Sequence, residues 1–205
     1  MSEWGDYDLG RLVQSISETY RFRRDEQVIF LNTSDILLGK VLHENLSFPS
    51  ILPGQAKKRI QKGDFLFSEI RPANGRYALI DFDADKYVVS TKLMVLRCGP
   101  KIHPKFFQLL LTSKEVLEHL QLIAEDRSGT FPQITFDNIA SIKVSLPSLA
   151  EQQAIAEVLS SLDDKMDLLH RQNKTLESLA ETLFRHWFID GAQDDWEMGT
   201  LVDRI

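Results

Sequence analysis

The chain holds one cysteine, Cys98, among its 205 residues. No internal disulfide can form, and this usage fits a reducing cytosol. No cationic start leads into an apolar run, and no uncharged stretch reaches the about 18 apolar residues that a membrane-crossing helix needs. Neither a signal peptide nor a membrane span is expected, and a cytoplasmic location is. Signatures of catalysis are missing as well. Gly39-Lys40 lacks the earlier glycine and the following Ser or Thr of a phosphate loop, and neither GxGxxG nor GxSxG occurs. His43, His103, His119, His170 and His186 are too scattered for a zinc site. Asp81, Asp83 and Asp85 alternate like the start of an EF-hand loop, but Lys86 and Lys92 stand where Gly and Glu are required, so a solvated hairpin is expected there. There is no Asn-Pro-Pro or Asp-Pro-Pro followed by an aromatic, the signature of amino-methyltransferases of DNA. The chain reads as non-catalytic, with no metal or cofactor of its own.

Positive charge is scarce overall but unevenly distributed. The net charge is -6; residues 1–150 carry 19 Lys and Arg against 18 Asp and Glu, or +1, and residues 151–205 carry 5 against 12, or -7. The near-neutral part is compatible with DNA through a local basic patch, whereas the acidic part is repelled by phosphates. The length suffices for one domain of about 150 residues plus an extended element.

That element lies between Ser148 and Gly191 and reads as one helix. Ile155, Leu159, Leu162, Met166, Leu169, Asn173, Leu176, Ala180, Leu183 and Trp187 follow steps of four and three, the seam of a left-handed coiled coil. Asp163 and Lys165, the one acid-x-Lys pair that nuclease chemistry could use, fall at the charged flanks of that seam. Asn173 is its lone polar member, and an Asn at such a position restricts register and partner at some cost in stability. Packing of the stripe on its own domain is the alternative, but at about 1.5 Å per residue a helix of this length outruns such a domain. Ser148 and Glu151 form a capping box after Pro147, and Gly191 is expected to end the helix in a left-handed conformation.

Upstream, the chain alternates strand and turn signals. Trp4 to Ile16 reads as a strand or short helix, Gln27 to Leu42 as two strands broken at Asn32 to Asp35, and Phe65 to Ile70, Tyr77 to Phe82 and Tyr87 to Cys98 as further strands. Pro104 to Leu111, Lys114 to Glu125 and Phe136 to Ala140 read as helices, and Ile142 to Leu146 as a closing strand. Arg21, Arg23 and Arg24 near Tyr20 suit either phosphate contact or a solvated loop. The one dense cluster is Lys57, Lys58, Arg59 and Lys62, with Arg71 and Arg76 close behind; it could track phosphates or merely keep a face soluble. The loop 126–133 offers Arg127, Ser128, Thr130 and Gln133 as varied donors and acceptors for base edges.

Residues 146 to 190 carry L-P-x-L-x-E-Q, L-D-x-K, R-Q-N-x-x-L and a closing L-F-x-x-W-F. This run resembles the spacer helix of the specificity (S) subunits of type I restriction-modification systems. FLNTSDILLGK, KGDFLFSEIRP and SGTFPQITFDNIASIKVSLPSL resemble a target-recognition domain of the same family. The resemblance implies an α+β fold: one mixed α/β target-recognition domain over 1–147, then a long helix over 148–190 that forms an antiparallel coiled coil. It implies a non-enzymatic subunit that reads half of an interrupted site in double-stranded DNA. Partners would be methylation (M) subunits docked on the helix and a motor-nuclease (R) subunit, with S-adenosylmethionine, ATP and Mg on those partners. Residues 191–205 repeat the Trp-x4-Leu spacing of the start, Trp196 and Leu201 matching Trp4 and Leu9, and so resemble the beginning of a second recognition domain. A half-length subunit that forms a homodimer through its helix, or a truncated one, is expected. A coiled-coil adaptor or a DNA-binding regulator outside restriction-modification is the alternative.

Overall fold

The strand Asp64–Ser68 is buried at all five of its positions. Side chains on a strand alternate between faces, so a strand with no exposed position must be covered on both sides. The layers follow from that. The computed structural model describes residues 4–127 and 132–191. In chain order its strands are β1 (Gly5–Asp8), β2 (Val13–Ile16), β3 (Val28–Leu31), β4 (Ile36–Leu37), β5 (Lys40–Val41), β6 (Leu46–Ser47), β7 (Ala56–Arg59), β8 (Asp64–Ser68), β9 (Tyr77–Leu79), β10 (Tyr87–Ser90) and β11 (Leu93–Cys98). The helices α1 (Pro104–Leu111), α2 (Lys114–Arg127) and α3 (Phe136–Ala140) precede β12 (Lys143–Leu146) and the long α4 (Leu149–Arg185).

The central sheet has the order β2-β11-β8-β9, with every pairing antiparallel. Opposite Phe65 and Phe67 stand Leu96 and Met94 on β11, and all four face a cluster with Phe107 and Leu111 of α1, Leu120 and Ala124 of α2 and Ile139 of α3. Phe107 meets Phe65 edge-on, with ring centroids 5.6 Å apart, one of the preferred aromatic geometries. The intervening Leu66, Leu93 and Val95 face the other way, onto Ile29, Leu31 and Val89 of a second sheet, β6-β3-β10-β7. The globular part is therefore three layers, helices on sheet on sheet. A two-stranded ribbon β1-β12 and the hairpin β4-β5 complete the pairings.

Two readings of the sequence need correction here. The apolar run Tyr87 to Cys98 is two strands in different sheets, because Thr91 and Lys92 turn the chain: Thr91 N–H donates to Gln55 O at 3.0 Å and Lys92 N–H to Ser90 Oγ at 3.2 Å. A continuous run of apolar residues carries no mark of which sheet it joins. For the same reason Asp81 to Asp85 does not close a hairpin, since β9 belongs to the central sheet and β10 to the second.

Contacts divide the chain into Met1–Ala156 and Glu157–Ile205. In the first unit Gln152 is almost fully buried and ties the start of α4 in place: its Nε2 donates to Pro147 O at 3.0 Å and Lys101 O at 3.1 Å, and its Oε1 accepts from His103 N–H at 2.9 Å. The capping box forms as expected, with Ser148 N–H and hydroxyl donating to Glu151 Oε2 and Glu151 N–H to Ser148 Oγ. In the second unit α4 continues and closes in a wide π-turn at His186–Asp190. Gly191 has φ -99° there, so the expected left-handed stop is not formed; glycine is instead favoured by close approach, since a Cβ would lie 2.8 Å from His186 O.

Candidate nucleic-acid interface and the apolar helix face

The dense cationic cluster is split by its place on a strand. β7 is the edge of the second sheet, flanked by the segment before Arg21: Tyr20 N–H donates to Lys57 O at 2.7 Å and Arg59 N–H to Glu18 O at 2.8 Å. Lys57 and Arg59 are exposed, and Arg59 Nη2 lies 3.4 Å from Asp85 Oδ1 in an open ion pair. Lys58, between them, points the other way. Its ammonium donates to Leu93 O at 2.7 Å, and burial pulls its pKa below the usual lysine range. The spacing of the sequence placed Lys58 with its neighbours; the pleat of the strand separates it from them.

Lys62 is exposed where the chain enters β8, while Arg71 lies past the strand's far end, on the order of 20 Å away at about 3.3 Å per residue. The six cations of residues 57–76 therefore do not make one patch. Arg76 is committed inward: its Nη1 donates to Ser34 O and Ile36 O, both at 3.1 Å. Arg71 is exposed and has φ +47°. Its N–H donates to Pro132 O at 3.1 Å, and Ile70 bridges Gln133. Arg71 and Gln133, 62 positions apart in sequence, thus come together at one rim of the central sheet. Ser128 and Thr130 lie outside the described residues, as does the side chain of Arg127.

Along the second unit the apolar stripe faces solvent. Leu159, Leu162, Met166, Leu169, Leu176, Leu183 and Trp187 are 37% to 61% exposed, as are Val158, Leu179, Phe184 and Phe188 beside them. Asn173 and Ala180 are exposed and Ile155, in the first unit, is half-buried. A run of exposed apolar side chains along one helix is the kind of patch that marks interaction surfaces.

The sequence profile of the type I restriction modification DNA specificity domain matches residues 1–178, all of the first unit and the first part of the second. The chain belongs to this family. Over 191 residues it is 49% identical to the type I restriction enzyme HindI specificity subunit of Haemophilus influenzae, covering 93% of this chain and 42% of that one. It is 36% identical over 86 residues to the MjaIX specificity subunit of Methanocaldococcus jannaschii, covering 42% of this chain and 19% of the relative. In fold it is similar to the HsdS subunit of Thermoanaerobacter tengcongensis, with a TM-score of 0.71 at 22% identity over 96% of this chain and 51% of that one. The chain thus spans about half the length of the relatives it matches, or less.

One group in this specificity-family chain escaped the reading of its sequence. Asp64 is fully buried and takes a two-pronged contact from Arg97, Nε to Oδ1 at 2.7 Å and Nη2 to Oδ2 at 3.0 Å, while Gln61 N–H donates to Oδ2 at 2.9 Å. Arg97 also reaches Glu18 at 3.2 Å. These contacts, the hydrogen bond to Asp64 foremost, hold the guanidinium in its charged form. Gly63-Asp64 reads as an ordinary turn, and only the antiparallel register that sets Asp64 opposite Arg97 exposes the pair. The signal available was a lone Arg ending one apolar strand and a lone Asp beginning another.

Proposed function

We propose that this chain is a non-catalytic DNA specificity subunit of a type I restriction-modification complex, in which its first unit reads one half of an interrupted duplex site. The observation that carries the reading is a single family match spanning both the three-layer unit and most of a helix whose apolar seam is uncovered. Lys57, Arg59 and Lys62 would contact phosphates, each displacing counterions and setting the salt dependence of binding. Arg71 and Gln133, with Arg127 at the end of α2 and Ser128 and Thr130 next in sequence, would face base edges, where a guanidinium suits guanine and a side-chain amide suits adenine. Lys58 and Arg76, whose charged groups are spent on backbone carbonyls, would hold strand and hairpin in place.

The helix would take methylation subunits and a second copy of this chain, running antiparallel. That pairing has two-fold symmetry and puts one reading unit at each end, so the two half-sites would be inverted copies separated by unread base pairs. A motor-nuclease subunit would complete the restriction assembly; S-adenosylmethionine, ATP and Mg would belong to these partners. The deciding experiment is methylome sequencing of cells expressing this chain with its methylation subunit. A two-part, inverted-repeat motif is expected; an unmodified genome, in the presence of active methylation subunit, would overturn the proposal. A coiled-coil adaptor would give no modified motif and no salt-dependent affinity for duplex DNA.

A further inference from the structure

The hairpin β4-β5 turns through Leu38 and Gly39, whose φ values are +45° and +86°. Two consecutive left-handed residues make the turn that Asn-Gly or Gly-Gly forms most readily, because a side chain at the first position crowds the backbone. Leucine is a poor choice there. It is a poor choice for solvation too, since Leu38 is 63% exposed.

The tip is nonetheless fixed. Leu38 N–H donates to Gly75 O at 2.7 Å and Gly39 N–H to Tyr77 O at 2.9 Å, so the turn is laced to the chain entering β9. Arg76 clamps the hairpin's approach through the two carbonyls of Ser34 and Ile36. Leu38 Cδ2 stands only 2.7 Å from where a Cβ on Gly75 would lie, and Gly75 itself has φ +66°. The φ of Gly75 disfavours any side chain there, and a Cβ would also displace the Leu38 methyl. Gly75 ends the short turn Pro72–Asn74 that Arg71 begins. Leu38 and Arg71 are two of the three described non-glycine residues with positive φ, and they sit on turns that touch. Strained backbone persists where the surroundings over-determine it and gathers at places that do something.

An apolar side chain exposed on a backbone tip fixed by hydrogen bonds, with a guanidinium on the adjoining turn and the Gln133 segment tied to that turn, matches the mixed chemistry of a major groove, where thymine methyls alternate with polar edges. We propose that Leu38 is a specificity-determining residue, making apolar contact with a base edge, such as a thymine methyl, inside the half-site. This rests on the specificity reading above.

Leu38→Asn separates the two roles of the residue, because Asn tolerates the left-handed conformation and removes the apolar contact. Leu38→Met keeps the apolar reach. Each full-length chain is incubated with a library of randomised duplex DNA, and the selected motif is read together with the affinity ratio for selected over scrambled duplex. Leu38→Met is expected to select the motif of the unsubstituted chain. With Leu38→Asn one base position should relax and the ratio should fall about tenfold, with an unchanged salt slope and a melting temperature equal or higher. An unaltered motif and ratio in Leu38→Asn would overturn the inference while leaving the specificity reading intact. Failure of the unsubstituted chain to select any motif would overturn that reading and the inference with it.

Discussion

Asp64 is a carboxylate with no solvent exposure, balanced by one guanidinium and one backbone amide. Breaking such a pair from one side strands a buried charge, which costs about 3–5 kcal/mol. Arg97→Met leaves the Asp64 carboxylate unpaired and should therefore lower the urea midpoint steeply, whereas Arg97→Met combined with Asp64→Asn should recover much of the loss; equal destabilisation by both would contradict the pairing. Cys98 is governed by the same neighbourhood. Burial, helped by the charge of Asp64, pushes its thiol from the ordinary 9.0 up to about 12. The folded state thus favours the protonated thiol, and the associated stability is complete below pH 9.0 and is lost as pH rises from there through about 12. At pH 8 iodoacetamide should label Cys98 slowly in the native chain and rapidly in urea, and equal rates in both would refute this account.

At the scale of elements, α4 shows how one helix serves two surroundings. Its first turns are tied to the first unit through Gln152, three of whose hydrogen bonds satisfy the backbone of Lys101, His103 and Pro147. Gln152→Ala orphans those groups and should cost about 2 kcal/mol, visible as faster amide hydrogen exchange at His103. Farther along, heptad spacing is kept although its apolar members stand exposed among the described residues. Asn173 sits in that seam, and Asn173→Leu should strengthen helix association while admitting alternative registers. Sedimentation and chemical cross-linking would report both effects; weaker association would place Asn173 outside the seam.

For the whole molecule, net charge is divided unevenly along the chain, +1 over residues 1–150 and -7 over residues 151–205. Leu162→Glu with Leu169→Glu should convert the homodimer we propose into monomers by bringing like charges into the seam. Mass in solution decides it, and an unsubstituted chain that is already monomeric at micromolar concentration would sink the homodimer. Replacing Lys57 and Arg59 by Ala should weaken binding to all duplexes alike and flatten the salt dependence by about two charges. An unchanged slope would move the phosphate contacts elsewhere.

The helix, its capping box, its apolar stripe and the run of small helices before it were legible in the sequence because periodicity and capping are local: each residue reports its own face and its own terminus. The family was legible for the same reason, since its motifs lie in contiguous stretches. Which cations belong together was not, because Lys58 and Lys57 differ only in the face of a pleat and Lys62 and Arg71 only in the end of a strand. The split of Tyr87–Cys98 between two sheets, the buried Asp64–Arg97 pair and the Leu38 tip resting on Gly75 all arise from pairings across the chain. Spacing along a chain specifies which elements form; strand register and the choice of sheet, which depend on residues far away in sequence, decide what those elements present.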